Sequence, residues 1–182
     1  MRGPRALSSS TTAMQVPTRN RARKASSGTT GRRTPAKLPI VIALTVFQPG
    51  GLAAEVDSAQ TTGIALNGND LLTITASGSI NTSGTTNYAI RGTNGNNKVV
   101  VYGDIITGIA GGSSFHGIKL SGGNNITELY GAITTVGSSN SLGVYNLGDY
   151  NTTTIAGTIV TEGEGSLGIE NWGDRNSANI SG

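Results

Sequence analysis

Gly78-Ser79-Ile80-Asn81-Thr82, Gly103-Asp104-Ile105-Ile106-Thr107, Gly131-Ala132-Ile133-Thr134-Thr135 and Gly157-Thr158-Ile159-Val160-Thr161 are four copies of one cassette. Their glycines stand 25, 28 and 26 residues apart, and Gly182 falls 25 residues further on. A repeat of this length marks a solenoid, in which no coil can bury its apolar side alone.

Further columns emerge on counting back from each cassette glycine. Two residues before it stand Val101, Leu129, Ile155 and Ile180, and six before it Asn97, Asn125, Asn151 and Asn176. Thirteen before it stand Ile90, Ile118, Val144 and Ile169, preceded by Ala89, Gly117, Gly143 and Gly168. In a parallel solenoid each strand pairs with its equivalent in the next coil, about 4.8 Å away, so like stacks on like. Aliphatic columns then form a continuous core, and β-branched Ile and Val suit a pleated surface. An asparagine column can pass amide hydrogen bonds from coil to coil. Small residues allow corners of positive φ or close backbone approach.

Length varies only between the threonine and the next small corner, over Ser83–Tyr88, Gly108–His116, Val136–Leu142 and Glu162–Leu167. Strands locked by coil packing and a free loop predict that confinement. A less regular earlier coil runs from Gly63-Ile64 through Leu72-Thr73-Ile74 to Gly78. The expectation is an all-β parallel β-helix of about five coils. No apolar period near 3.6 residues persists, which argues against helix. Fixed columns of Ile, Val and Leu argue against a disordered Gly/Ser/Asn/Thr-rich segment.

Composition narrows the function classes. The 182 residues include 28 glycines and five prolines, but glycine does not recur at every third place, which excludes collagen. Cysteine is absent, so neither disulfides nor thiolate metal sites are available. The net charge of +3 averages two unlike segments: Met1 to Lys37 carries nine basic residues and no acid, whereas Glu55 to Gly182 carries ten acids and four bases. An acidic repeat region repels phosphate, so no nucleic-acid partner is expected.

The front of the chain reads as an address. Leu38 to Phe47 is an apolar run broken only by Pro39 and Thr45, too short for a membrane-spanning helix of about 20 residues. Arg32, Arg33 and Lys37 precede it, Pro49-Gly50-Gly51 follows, and small residues permit cleavage after Ala53 or Ala54. The expected division is 1–54, an extended cationic leader and signal peptide, and 55–182, the β-helix. An Arg- and Ser-rich transit peptide is the alternative, and either Met1 or Met14 can serve as the start.

The cassette, its Gly-Ile or Gly-Val corner and its Gly/Asn turn resemble the passenger regions of type V autotransporters. The closest stretches are Gly131–Thr135 with Leu142–Tyr145, and Gly157–Thr161 with Leu167–Glu170. That resemblance covers residues 63–182. It implies a right-handed parallel β-helix, secreted to or displayed on the surface of a Gram-negative bacterium, acting as an adhesin or structural stalk. It also implies an outer-membrane translocator barrel as export partner, and cell-surface glycans or proteins as targets. The alternating strands of such a barrel are missing here, so the expectation is an N-terminal fragment. A carbohydrate-active β-helix enzyme is the competing reading.

Chemistry is sparse. His116 is the sole histidine, in the variable loop beside Phe115, and is expected to be a solvated loop residue. Ser113 and Ser114 lie near it, but no nucleophile elbow accompanies them. A glycosidase or lyase needs clustered carboxylates. Asp104 is the best-placed single acid, while Asp149 and Asp174 share a column and fit either turn positions or a calcium pair. Tyr102 and Tyr130 share the column before the cassette glycine, and Tyr145 and Trp172 are placed in a later turn region. An aromatic strip of this kind can stack on sugar rings or pack on itself. The sequence assigns no catalytic, cofactor or metal residues and no enzymatic activity. One threonine per coil is too sparse for an ice-binding array.

Overall fold

The computed structural model describes residues 51–84 and 86–181, and within them every regular element is a β-strand. The cationic segment and the apolar run Leu38 to Phe47 lie outside the described residues.

Three strands make each coil. The first coil is β1 (Ala53–Val56), β2 (Ala59–Gln60) and β3 (Ile64–Leu66); the second is β4 (Leu71–Ile74), β5 (Ser79–Asn81) and β6 (Tyr88–Gly92). The third holds β7 (Lys98–Val101), β8 (Asp104–Gly108) and β9 (His116–Ser121), the fourth β10 (Ile126–Leu129), β11 (Ala132–Val136) and β12 (Leu142–Leu147). The fifth is β13 (Thr152–Ile155), β14 (Thr158–Thr161) and β15 (Leu167–Trp172), and β16 (Ser177–Ile180) stacks beyond it. Every pairing is parallel and joins equivalent strands. Three sheets result: β1-β4-β7-β10-β13-β16, β2-β5-β8-β11-β14 and β3-β6-β9-β12-β15. The chain is a parallel β-solenoid, as the cassette predicts. Its first strand begins at Ala53, so Ala53 and Ala54 pair with Leu71 and Leu72.

The columns lie where the repeat puts them. Ile80, Ile105, Ile133 and Ile159 are successive partners in the second sheet. Val56, Ile74, Val101, Leu129, Ile155 and Ile180 run down the first. Ile64, Ile90, Ile118, Val144 and Ile169 run down the third. Between the ends these side chains form one buried apolar cluster. The threonine column also turns inward: Thr82, Thr107 and Thr135 are fully buried, and the Thr82 hydroxyl donates to the Thr107 hydroxyl at 2.8 Å.

Close approach makes the cassette glycine necessary. A Cβ on Gly131 would sit 2.0 Å from the Gly103 carbonyl oxygen, and one on Gly157 would sit 2.0 Å from that of Gly131. Real Cβ contacts do not reach such distances, so this corner tolerates no side chain at all.

The asparagines form the expected ladder. Asn125 Oδ1 accepts from the backbone N–H and the Nδ2 of Asn97, both at 3.0 Å, and Asn151 Oδ1 does the same for Asn125 at 2.9 and 3.0 Å. The second hydrogen of each amide goes to a turn carbonyl three or four residues back: Thr93, Gly122 and Gly148. Each of these amides thus ties its own turn together with one hydrogen, while the Asn125 and Asn151 oxygens bond along the stack.

Candidate functional site: the outer face of the third sheet

The corner before each β6-type strand breaks the inside–outside alternation. At Phe115, His116, Gly117 and Ile118 four consecutive residues are buried, because Gly117 approaches the core: a Cβ there would lie 2.5 Å from Ile133 Cγ2. The residue before that corner lies outside the apolar core cluster, yet it is buried at His116 and Leu142 and exposed at Leu167. Tyr88, His116, Leu142 and Leu167 are partners in this column. The expectation of a solvated loop histidine is overturned: His116 is the first residue of β9 and only 7 % exposed.

Two residues past the small corner, side chains face outward in register as Arg91, Lys119, Tyr145 and Glu170. These two columns interlock. The His116 ring packs between those of Tyr88 and Tyr145, with centroids at 5.5 and 5.3 Å. Lys119 Nζ stands 5.1 Å from both tyrosine centroids, and the Arg91 guanidinium lies 5.9 Å over Tyr88. Such cation–π contacts are worth about 0.5–2 kcal/mol each, depending on desolvation. Further along, the Trp172 indole N–H donates to Glu170 Oε1 at 2.7 Å.

The electrostatics follow from this packing. Burial pushes the His116 imidazole down to about 4, with the Lys119 charge adding to it, so the ring is neutral near pH 7. Burial also raises the Tyr145 phenol, helped by the negative charge of Glu170. The face thus carries cations at Arg91 and Lys119, neutral rings at its centre, and an anion with an exposed indole at Glu170 and Trp172.

The other candidate residues do not join this face. Tyr145 and Trp172 belong to β12 and β15 rather than to a turn, because the outward column continues through the strands. Tyr102 and Tyr130 are a separate pair between the first and second sheets, their rings stacked at 5.0 Å and 11°. Asp104 sits alone on the outside of the second sheet, with Ser79 and Ala132 as register partners. Asp149 Oδ1 accepts the backbone N–H of Asp174 at 2.8 Å, so this carboxylate holds one turn to the next. Ser113 and Ser114 are exposed loop residues, and the Ser113 loop bridges to Ser139. Among the described residues no three metal-ligating side chains converge.

Sequence reasoning missed the Tyr88–His116–Leu142–Leu167 column, although it was countable. Each of these residues directly precedes a member of the small-residue column Ala89, Gly117, Gly143 and Gly168.

No family model, curated protein or solved structure matches the chain. What the geometry defines is a class: a parallel β-solenoid with three sheets, bearing one aromatic and cationic outer face.

Proposed function

We propose that the chain is a secreted or surface-displayed β-helical segment of autotransporter-passenger type, serving as an adhesive stalk without catalysis of its own. The observation that carries this reading is the third-sheet outer face. It presents Tyr88, Arg91, Lys119, Tyr145 and Trp172 on paired strands, a rigid surface rich in the residue types that dominate contact energies. Asp104 stands alone and the Asp149 carboxylate is engaged by the backbone N–H of Asp174, which favours a stalk over a hydrolase or lyase built on two free carboxylates. In export the partner is an outer-membrane translocator barrel, and the leader in residues 1–54 directs the chain to the cell envelope. Cleavage after Ala53 or Ala54 would cut within β1, so N-terminal sequencing of exported protein reports directly on the leader.

The test uses purified full chain on cultured animal and bacterial cells, compared with a Lys119→Glu/Tyr145→Ala variant of unchanged far-UV spectrum. The expected result is retention of the parent chain and a loss of at least about fivefold in the variant, about 1 kcal/mol. Equal retention of both removes the third-sheet face from the reading. New reducing ends released from a polysaccharide panel would replace the stalk with an enzyme.

A further inference from the structure

A chain without cysteine has no disulfide to lock its coils, yet one pair of side chains is placed for a different covalent bond. Tyr102 and Tyr130 occupy equivalent positions in the third and fourth coils. Their backbones are held by matching hydrogen bonds, Tyr102 N–H to the Ile74 carbonyl and Tyr130 N–H to the Val101 carbonyl, each 2.8 Å. The adjoining residues Val101 and Leu129 are register partners, which keeps the tyrosines opposite one another. Their rings stack at 5.0 Å with planes 11° apart, and the residues are 50 % and 46 % exposed. Both phenols are therefore accessible to an oxidant from solution, and each has its coupling partner already in contact.

We propose that Tyr102 and Tyr130 are an oxidative cross-linking site, forming an intrachain dityrosine that staples the third coil to the fourth. The oxidant is hydrogen peroxide acting through a haem peroxidase, a one-electron oxidant of phenols. Each tyrosine gives up one electron and its hydroxyl proton, leaving a phenoxyl radical with spin on the ring carbons ortho to oxygen. The two radicals join by a new bond between one Cε of each ring. Each bonded carbon then loses its hydrogen as a proton, the phenoxyl oxygens regain protons, and both rings recover aromaticity. The chain loses two hydrogen atoms in all, and one peroxide is reduced to two waters. Because both side chains lie outside the core, the rings can tilt from stacked to edge-joined without disturbing the packed columns.

Selectivity comes from geometry. The chain has five tyrosines, but Tyr88 and Tyr145 each face the His116 ring, and Tyr150 faces Arg175. Among the described residues Tyr102–Tyr130 is the tyrosine pair in ring contact. The inference is independent of the adhesive reading, since it needs only the fold.

The experiment treats dilute full-length chain with a haem peroxidase and hydrogen peroxide, then follows dityrosine fluorescence, denaturing gels and peptide masses. The expected product is a monomer whose Tyr102 and Tyr130 peptides are joined and lighter by two hydrogens. Its unfolding midpoint is raised, as for any cross-link closing a loop in the unfolded chain. Tyr102→Phe and Tyr130→Phe keep the stacked ring, so folding is retained, and each should lower monomer dityrosine at least about tenfold. Tyr88→Phe, Tyr145→Phe and Tyr150→Phe should leave it intact. Coupling mainly between separate chains, or coupling that survives Tyr102→Phe, would overturn the proposal. So would phenol oxidation without any joined peptide.

Discussion

At the scale of single residues, the turn into the first sheet sets a backbone requirement that the sequence meets unevenly. Asn69, Asn96 and Asn124 take left-handed φ values of 59°, 54° and 59°, and the same place in the next two coils holds Tyr150 at 61° and Arg175 at 57°. Asparagine tolerates this region, whereas larger L-residues are disfavoured by about 1 kcal/mol or more. Tyr150 and Arg175 recover part of that through their mutual cation–π contact at 5.2 Å and a hydrogen bond from the guanidinium to the phenol. Replacing both by asparagine should therefore raise unfolding stability by about 1 kcal/mol, measurable by urea titration. A loss of stability would show that the side-chain contact outweighs the backbone strain.

His116 makes a second residue-scale prediction. Its folded pKa, about 4, lies below its ordinary 6.5 because burial disfavours the charged ring. Between those values the unfolded chain binds more protons than the folded one. The stability tied to neutral His116 is thus complete above pH 6.5 and is lost as pH falls toward 4, by roughly 2–4 kcal/mol. Leu142 and Leu167 already fill this column in later coils, so His116→Leu should fold and remove that component. Its unfolding midpoint should fall less than the parent's between pH 7 and 4. Parallel pH profiles would mean that His116 does not control acid sensitivity.

At the scale of elements, much of the structure was legible because stacking repeats each choice. The cassette, the aliphatic columns and the asparagine ladder each show four or more equivalent residues, and the structure keeps all of them in register. Which way a residue faces was less legible. Strand alternation would settle it, but the close approach at Gly117 and Gly143 resets the parity, leaving four neighbouring residues buried at 115–118 and 141–144. For that reason His116 read as loop and Tyr145 as turn. Polar residues inside were also hidden. Asn146, whose amide donates to Thr153 Oγ1 at 2.9 Å and to Asn171 Oδ1 at 2.8 Å, is buried although asparagine usually reads as surface.

Two element-scale tests separate the forces involved. Thr127 and Thr135 hydroxyls are buried with no partner. Thr127→Val and Thr135→Val keep the shape and remove an unsatisfied group, so each should stabilise by about 1 kcal/mol. Val99, one coil earlier, shows that valine fits beside Thr127. By contrast Gly131→Ala drives a methyl onto the Gly103 carbonyl and should destabilise by about 3 kcal/mol or more. Denaturant midpoints of the three variants decide whether corner approach or interior polarity governs coil stacking.

At the scale of the whole solenoid, stability is a sum of coils and the contacts between neighbours, so it need not be uniform along the stack. Its middle is apolar: Val99, Val101, Ile105, Ile118, Leu120, Leu129 and Ile133 are all fully buried. Toward β13–β15 the interior changes: Thr153 succeeds Leu72 and Val99 in its column, and Asn146 and Asn171 succeed Leu120. Polar side chains at these inward places shrink the apolar burial that holds the fifth coil, at roughly 25 cal/mol per Å² of apolar surface. Local opening should therefore favour β13 to β15 over the middle coils. In native-state hydrogen exchange, amides of β7 to β9 should be protected at least about tenfold more than those of β13 to β15. Equal protection from β4 to β16 would mean that the coils open as one cooperative unit, and stability could not then be assigned coil by coil.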